Sequence, residues 1–265
     1  MSDVIEETKT DAEESEQEAG KMSFLDHLDE LRKRLVRITI YLAVGFCACF
    51  FFSPRIYNFL AIPINREVER VGGNLIYTSP TDAFTISMKV ALLAGIFLTL
   101  PFTLFEVWQF ISPGLYRREK RYVIPFLFFS VLLFLAGATF CYRIALPGAF
   151  EFLTDWGANI DNVKPQIDIG RYLDLTNTML LGFGLIFEMP VVVAFLSLFG
   201  LVSAGFLIKK FRYALVGIVI LAAIISPTSD AVNLLIWSAP MVLLYIVSIG
   251  VAAVLGRRRK KKNGA

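Results

Sequence analysis

SFLDHLDELRKRLVRITIYLAVGFCACFFFSP, residues Ser23 to Pro54, changes character half-way along. In its first half Leu25, Leu28, Leu31 and Leu35 recur at helical spacing among charges, so it reads as an amphipathic helix lying at a membrane surface. Ser23 is placed to cap that helix, with Asp26 as an approximate capping-box partner. From Leu35 to Ser53 only Arg37 is charged. A bilayer core about 30 Å thick asks for roughly twenty apolar residues at about 1.5 Å of rise each. The second half is therefore written for lipid rather than for the interior of a soluble domain.

Five further runs approach that length: Ile86 to Ile111, Tyr122 to Leu146, Leu173 to Gly200, Phe211 to Ile225 and Ala231 to Gly256, each bounded by charge, Pro or Gly. Composition agrees, with 56% hydrophobic residues and 24 Phe among 265. The mean hydropathy of +0.62 is more than one soluble core needs. The fifth run is short: its uncharged part, Tyr213 to Ile225, would rise only about 20 Å as a helix. The expected architecture is an all-α integral membrane protein of six transmembrane helices with the last two spans short. Long outer connections, Pro54 to Thr85 and Pro147 to Tyr172, against tight inner turns suggest a cup-like bundle.

Lys and Arg are retained on the cytoplasmic side of a membrane. Nineteen of the 26 basic residues fall in the N-terminal segment, the Arg117 to Arg121 turn, the Lys209 to Arg212 turn and the C-terminal run. An even number of spans with both termini inside satisfies that distribution. Residues 1–20 hold eight acids against Lys9, too acidic for a signal peptide, and are expected to be a disordered cytoplasmic tail. Residues 21–256 form a single transmembrane domain and 257–265 a basic cytoplasmic tail. Cys47, Cys49 and Cys141 sit inside apolar runs without metal spacing, so neither a disulfide framework nor a metal site is expected, and no cofactor or nucleic-acid partner either.

Glu188 is the most unusual residue, with 13 uncharged positions before it and 20 after it. An acid inside a span costs about 2.5 to 3.5 kcal/mol on insertion scales and is a functional candidate by default. Asp29 with Lys33 and Glu30 with Arg34 are i,i+4 pairs, on their own ordinary salt bridging. Asp230 is placed to cap the sixth helix. Most prolines mark helix ends or kinks, and His27, the only histidine, reads as a surface residue. Glu106 lies within the second run, four residues before Phe110, and the sequence gives it no role.

Four segments together resemble the TatC family. SFLDHLDELRKRL, Ser23 to Leu35, resembles its N-terminal signature. FISPGLYRREKR, Phe110 to Arg121, resembles its first cytoplasmic turn, and Phe187-Glu188-Met189-Pro190 its acidic fourth span. SPTSD, Ser226 to Asp230, resembles the turn between its short final spans. The order and depth of these matches cover nearly the whole chain. The resemblance implies a receptor and core subunit of the twin-arginine translocase in the bacterial inner membrane. Such a subunit binds twin-arginine signal peptides of folded cargo, assembles with TatA-type and TatB-type single-span proteins and with further copies of itself, and draws on the proton motive force. Glu30 and Glu119 occupy the positions that receive the arginine pair, a task suited to carboxylates because a guanidinium presents a two-pronged, charge-assisted donor. Glu188 would meet polar groups of partner helices, while Pro63, Phe110, Pro113 and Asp230 fall at family turn and loop positions. The rival reading is a proton-coupled secondary transporter or channel with Glu188 as its coupling carboxylate. An ATP-driven pump lacks its phosphate loop here, and an intramembrane protease lacks G-x-S-x-G, a histidine within a span and an acid pair in adjacent spans, so no enzyme is expected.

Overall fold

A computed structural model describes residues 2–111, 123–158, 166–225 and 231–263. Helix α1, Ser2–Phe50, runs without a break. One expectation changes there: Ser23 lies inside the helix rather than capping it. The physical reason is local: Glu, Ala, Lys and Leu are good helix formers, and neither Pro nor a run of turn residues intervenes before Phe50 to separate a surface helix from the first apolar run.

The chain then turns sharply. Helix α2, Ser53–Leu60, carries Pro54 in its first turn and bends from α1 by 86°. Helix α3, Ile62–Arg70, begins at Pro63. Strand β1, Asn74–Ile76, leads into α4, Asp82–Ile111. Helix α5, Val123–Phe140, passes through a π-helical turn, Cys141–Ala145, into α6, Leu146–Ala158. Strand β2, Gln166–Asp168, precedes α7, Ile169–Phe187, which breaks at Glu188 before α8, Met189–Phe199. Short α9, Ala204–Lys209, leads to α10, Phe211–Ile225, and α11, Ala231–Asn263.

Among the described residues, four helical stretches are long and apolar enough to cross a membrane: Asp82–Ile111, Ile124–Asp155, Ile169–Phe199 and Trp237–Gly256. The bent pair Asp26–Phe50 with Ser53–Leu60 makes a fifth, and Phe211–Ile224 is a shorter apolar helix. Each of the six apolar runs thus has its helix. Shortness, however, belongs to α10 alone: the last helix carries a 20-residue stretch of spanning length. Exposed Ile40, Val44, Leu92, Phe128 and Ile220 are what a lipid-facing surface requires.

Helices pack through small residues, as they must where lipid removes the hydrophobic drive for association. At the α1/α4 crossing a Cβ on Gly45 would stand 2.6 Å from Thr99 Cγ2 and 2.9 Å from the Gly95 carbonyl oxygen. Only glycine lets the backbones come this close. One end of the bundle is capped by α2, α3 and α6. There Ile64, Leu146, Phe150, Tyr172 and Leu173 form a buried core, and the Tyr172 hydroxyl donates to the Leu60 carbonyl.

A small β element supplements the all-helical expectation. β1 and β2 pair in parallel, Asn74 with Gln166 through Ile76 with Asp168. Three-residue strands some ninety positions apart leave no periodicity to read. Around them Asp168 accepts from the Arg171 amide (2.9 Å) and the Thr78 hydroxyl (2.6 Å), while Asp82 accepts from the amides of Thr78 (2.9 Å) and Ser79 (2.7 Å). The Thr78 hydroxyl first, and the Arg171 amide after it, hold the Asp168 carboxyl below the usual carboxylate range. Lys89 pairs with Asp174 at 2.8 Å and ties α4 to α7. Arg70 bridges Glu67 and Asp155 at 2.8 and 2.7 Å.

Candidate functional site

At the uncapped end, α1 and α4 lie side by side, and the middle of α1 and the last turns of α4 gather charge that neither helix could bury alone. Arg34 sits at the centre with its side chain 12% exposed. Its Nη1 donates to Glu106 Oε2 and to Gln109 Oε1, both at 2.9 Å. Its Nε donates to Glu30 Oε1 at 3.1 Å, and Nη2 donates to the same oxygen. Glu106, 4% exposed, also faces Arg37 Nη1 at 3.6 Å, and its Oε1 accepts from the Tyr41 hydroxyl at 3.4 Å. The α-helical spacing of Glu30 and Arg34 and of Glu106 and Gln109 puts each pair on one face. The helix crossing at Gly45 and Gly95 brings the faces within reach.

Charge balance explains why the cluster is tolerated. A carboxylate as buried as Glu106 would be strongly destabilising alone, and two guanidinium groups supply its match. Glu30 is different in kind: its side chain is 31% exposed, and its Oε2 takes no hydrogen bond among the described residues. One oxygen is engaged and one is open. Close by, Phe110 stacks on His27 at 4.5 Å between ring centroids with the planes 12° apart. The single histidine is thus a stacking partner on this rim.

Glu188 occupies a second place. It closes α7 and opens α8, at a break that Pro190 enforces by withholding an amide from the helical ladder. Its Oε1 is buried without a hydrogen-bond partner among the described residues. The Ser130 hydroxyl on α5 interacts with the same carboxyl. Ser130 in turn accepts from Trp108 Nε1 at 3.0 Å. Trp108 packs in a ring cluster with Phe126 and Phe195. One acceptor oxygen of this carboxyl is thus left unpaired inside the bundle among the described residues.

Of the residues singled out in the sequence, Glu30 and Phe110 come together on the α1/α4 rim. Pro63 is buried at the start of α3, at the opposite, capped end. Glu188 stands apart, in the bundle between α5, α7 and α8. Glu119, Pro113 and Asp230 lie outside the described residues. Sequence reasoning missed the Arg34–Glu106 pair and the Trp108–Ser130 support. A signal for the first existed: an acid inside one apolar run and arginines at the edge of its neighbour must find each other if the two helices pack.

A family profile described as Sec-independent protein translocase protein (TatC) matches residues 26–240. The chain belongs to the TatC family. A TatC of Koribacter versatilis is 45% identical over 249 residues, covering 93% of this chain and 91% of that protein. A TatC of Desulforapulum autotrophicum is 38% identical, covering 91% and 88%, and one of Deinococcus radiodurans is 33% identical, covering 89% and 88%. The crystal structure of a twin arginine translocase receptor, TatC, aligns with a TM-score of 0.76 at 34% identity, over 86% of this chain and 99% of that one. This TatC-family chain is accordingly a helical multi-pass membrane protein and a component of Sec-independent protein translocation.

Proposed function

We propose that the chain is the signal-peptide receptor and core subunit of a twin-arginine translocase in a bacterial inner membrane. It crosses the bilayer six times with both termini in the cytoplasm, so that the α1/α4 rim faces the cytoplasm. Glu30 and Glu119 receive the paired arginines of the signal, and Glu188 receives a polar group from TatA-type or TatB-type single-span helices. The proton motive force drives export of the folded cargo, and several copies of the chain assemble in the complex.

The observation that carries this reading is the state of Glu30. Its carboxylate already grips one guanidinium through Oε1, which supports that chemistry, and its half-buried side chain keeps Oε2 without a hydrogen bond among the described residues. The orphan oxygen of Glu188 supports the partner-helix role. The test is signal-peptide crosslinking in membranes. Glu30→Ala and Glu119→Ala should each reduce crosslinking of a twin-arginine peptide while leaving membrane insertion intact, and unchanged crosslinking in the double variant would sink the proposal.

A further inference from the structure

Glu106 is buried and without a role in the reading above, yet Arg34, Arg37 and the Tyr41 hydroxyl all converge on its carboxyl. We infer that Glu106 is a positioning residue for signal recognition: it holds Arg34 so that this internal arginine engages one oxygen of Glu30 and leaves the other for an arginine of the signal. The inference rests on the receptor reading proposed above.

The geometry carries it. A guanidinium beside a lone carboxylate prefers the fork arrangement, with two nitrogens on two oxygens. Arg34 does not adopt it. Its Nε and Nη2 both converge on Glu30 Oε1, while Nη1 is drawn the other way, to Glu106 Oε2 and Gln109 Oε1 at 2.9 Å each. Arg34 is thus shared between two acids on different helices. Glu106 is anchored in turn, by Arg37 at 3.6 Å and the Tyr41 hydroxyl at 3.4 Å, so it is the fixed point and Glu30 the exposed one. Removing the pull of Glu106 frees Arg34 to close on both oxygens of Glu30 and compete with the incoming guanidinium.

Charge points the same way. Glu30, Glu106, Arg34 and Arg37 sum to zero. Neutralising Glu106 leaves this four-residue cluster with a net positive charge, which repels a dicationic signal. Neutralising Arg34 leaves it net negative and removes the competitor. A plain structural bridge predicts otherwise, because breaking either side of a buried ion pair should harm the rim alike.

The experiment measures binding of two synthetic signal peptides, one with paired arginines and one with paired lysines, to the full chain in lipid nanodiscs. Glu106→Gln should weaken binding of the arginine peptide about tenfold. Arg34→Gln should tighten it about threefold, and the double variant should return to within about threefold of the unaltered chain. Arg34→Gln binding more weakly, Glu106→Gln binding as tightly as the unaltered chain, or no recovery in the double variant overturns the inference. Arg34→Gln alone decides the sign if Glu106→Gln fails to fold. The unaltered chain separates the two readings. Equal binding of both peptides there defeats receptor function itself, whereas arginine preference with the wrong order among the variants defeats only the role of Glu106.

Discussion

Replacing Gly137 by alanine puts one methyl group where α5 meets α7. An ideal Cβ there would lie 2.6 Å from the Phe183 carbonyl oxygen, 2.7 Å from Phe187 Cγ and 2.8 Å from Phe187 Cβ. Ordinary van der Waals contact begins at 3.4 Å, so α7 must retreat by about 0.8 Å. The nearest atom belongs to backbone, so rotation of a side chain cannot relieve the clash. Overpacking of this kind costs about 1 to 3 kcal/mol. For a chain of this size about 1 kcal/mol moves the melting temperature by roughly 2 to 4 °C, so Gly137→Ala should melt about 2 to 12 °C lower in detergent. Gly217→Ala on α10 is the matched control, since nothing lies within 4 Å of its Cβ. There alanine should be neutral or raise stability by up to about 1 kcal/mol, because a helical glycine carries extra chain entropy. Melting temperatures that move together in the two variants would refute the close α5/α7 approach. Phe187 adjoins Glu188, so Gly137→Ala should also weaken crosslinking of partner helices near Glu188.

Glu188→Gln should keep part of the transport activity, Glu188→Ala less and Glu188→Leu least, while melting temperature changes little, because Oε1 is unpaired among the described residues and removing a buried carboxyl relieves its desolvation; equal transport across the series, or losses in melting temperature that track it, would make Glu188 structural. At the capped end, the folded-state pKa of Asp168 is depressed, so its contribution is present above the ordinary carboxylate range near pH ~4 and is lost as pH falls through the lower folded value. Protection of the Arg171 amide against hydrogen exchange, taken relative to the intrinsic rate at each pH, should therefore fall at acidic pH in the unaltered chain, and Asp168→Asn should be less protected already at neutral pH; a profile without that difference would remove the capping role.

How far the sequence reached is clearest from individual residues. Twenty-residue apolar runs have one solvent that suits them, so the helical membrane fold and its six segments were legible from Leu35 onward. Local spacing is likewise a sequence property: Glu30 with Arg34 and Asp29 with Lys33 pair as their i,i+4 positions require. Glu188 announced itself through its own desolvation, and the break at Pro190 through its missing amide. The family followed from four short motifs in order, because such motifs are local too.

Tertiary structure decided whatever depends on which helix meets which. Nothing local told Arg34 that its second partner is Glu106, seventy-two positions away; the approach of α1 to α4 at Gly45 and Gly95 did. The parallel pairing of Asn74–Ile76 with Gln166–Asp168 and the Trp108–Ser130 support beneath Glu188 are of the same kind. So is the open Oε2 of Glu30, which exists because a guanidinium is divided between two helices. A sequence fixes periodicity, charge and solvent preference along one dimension. The sharing of one side chain by two elements is a property of their packing, and only the folded bundle contains it.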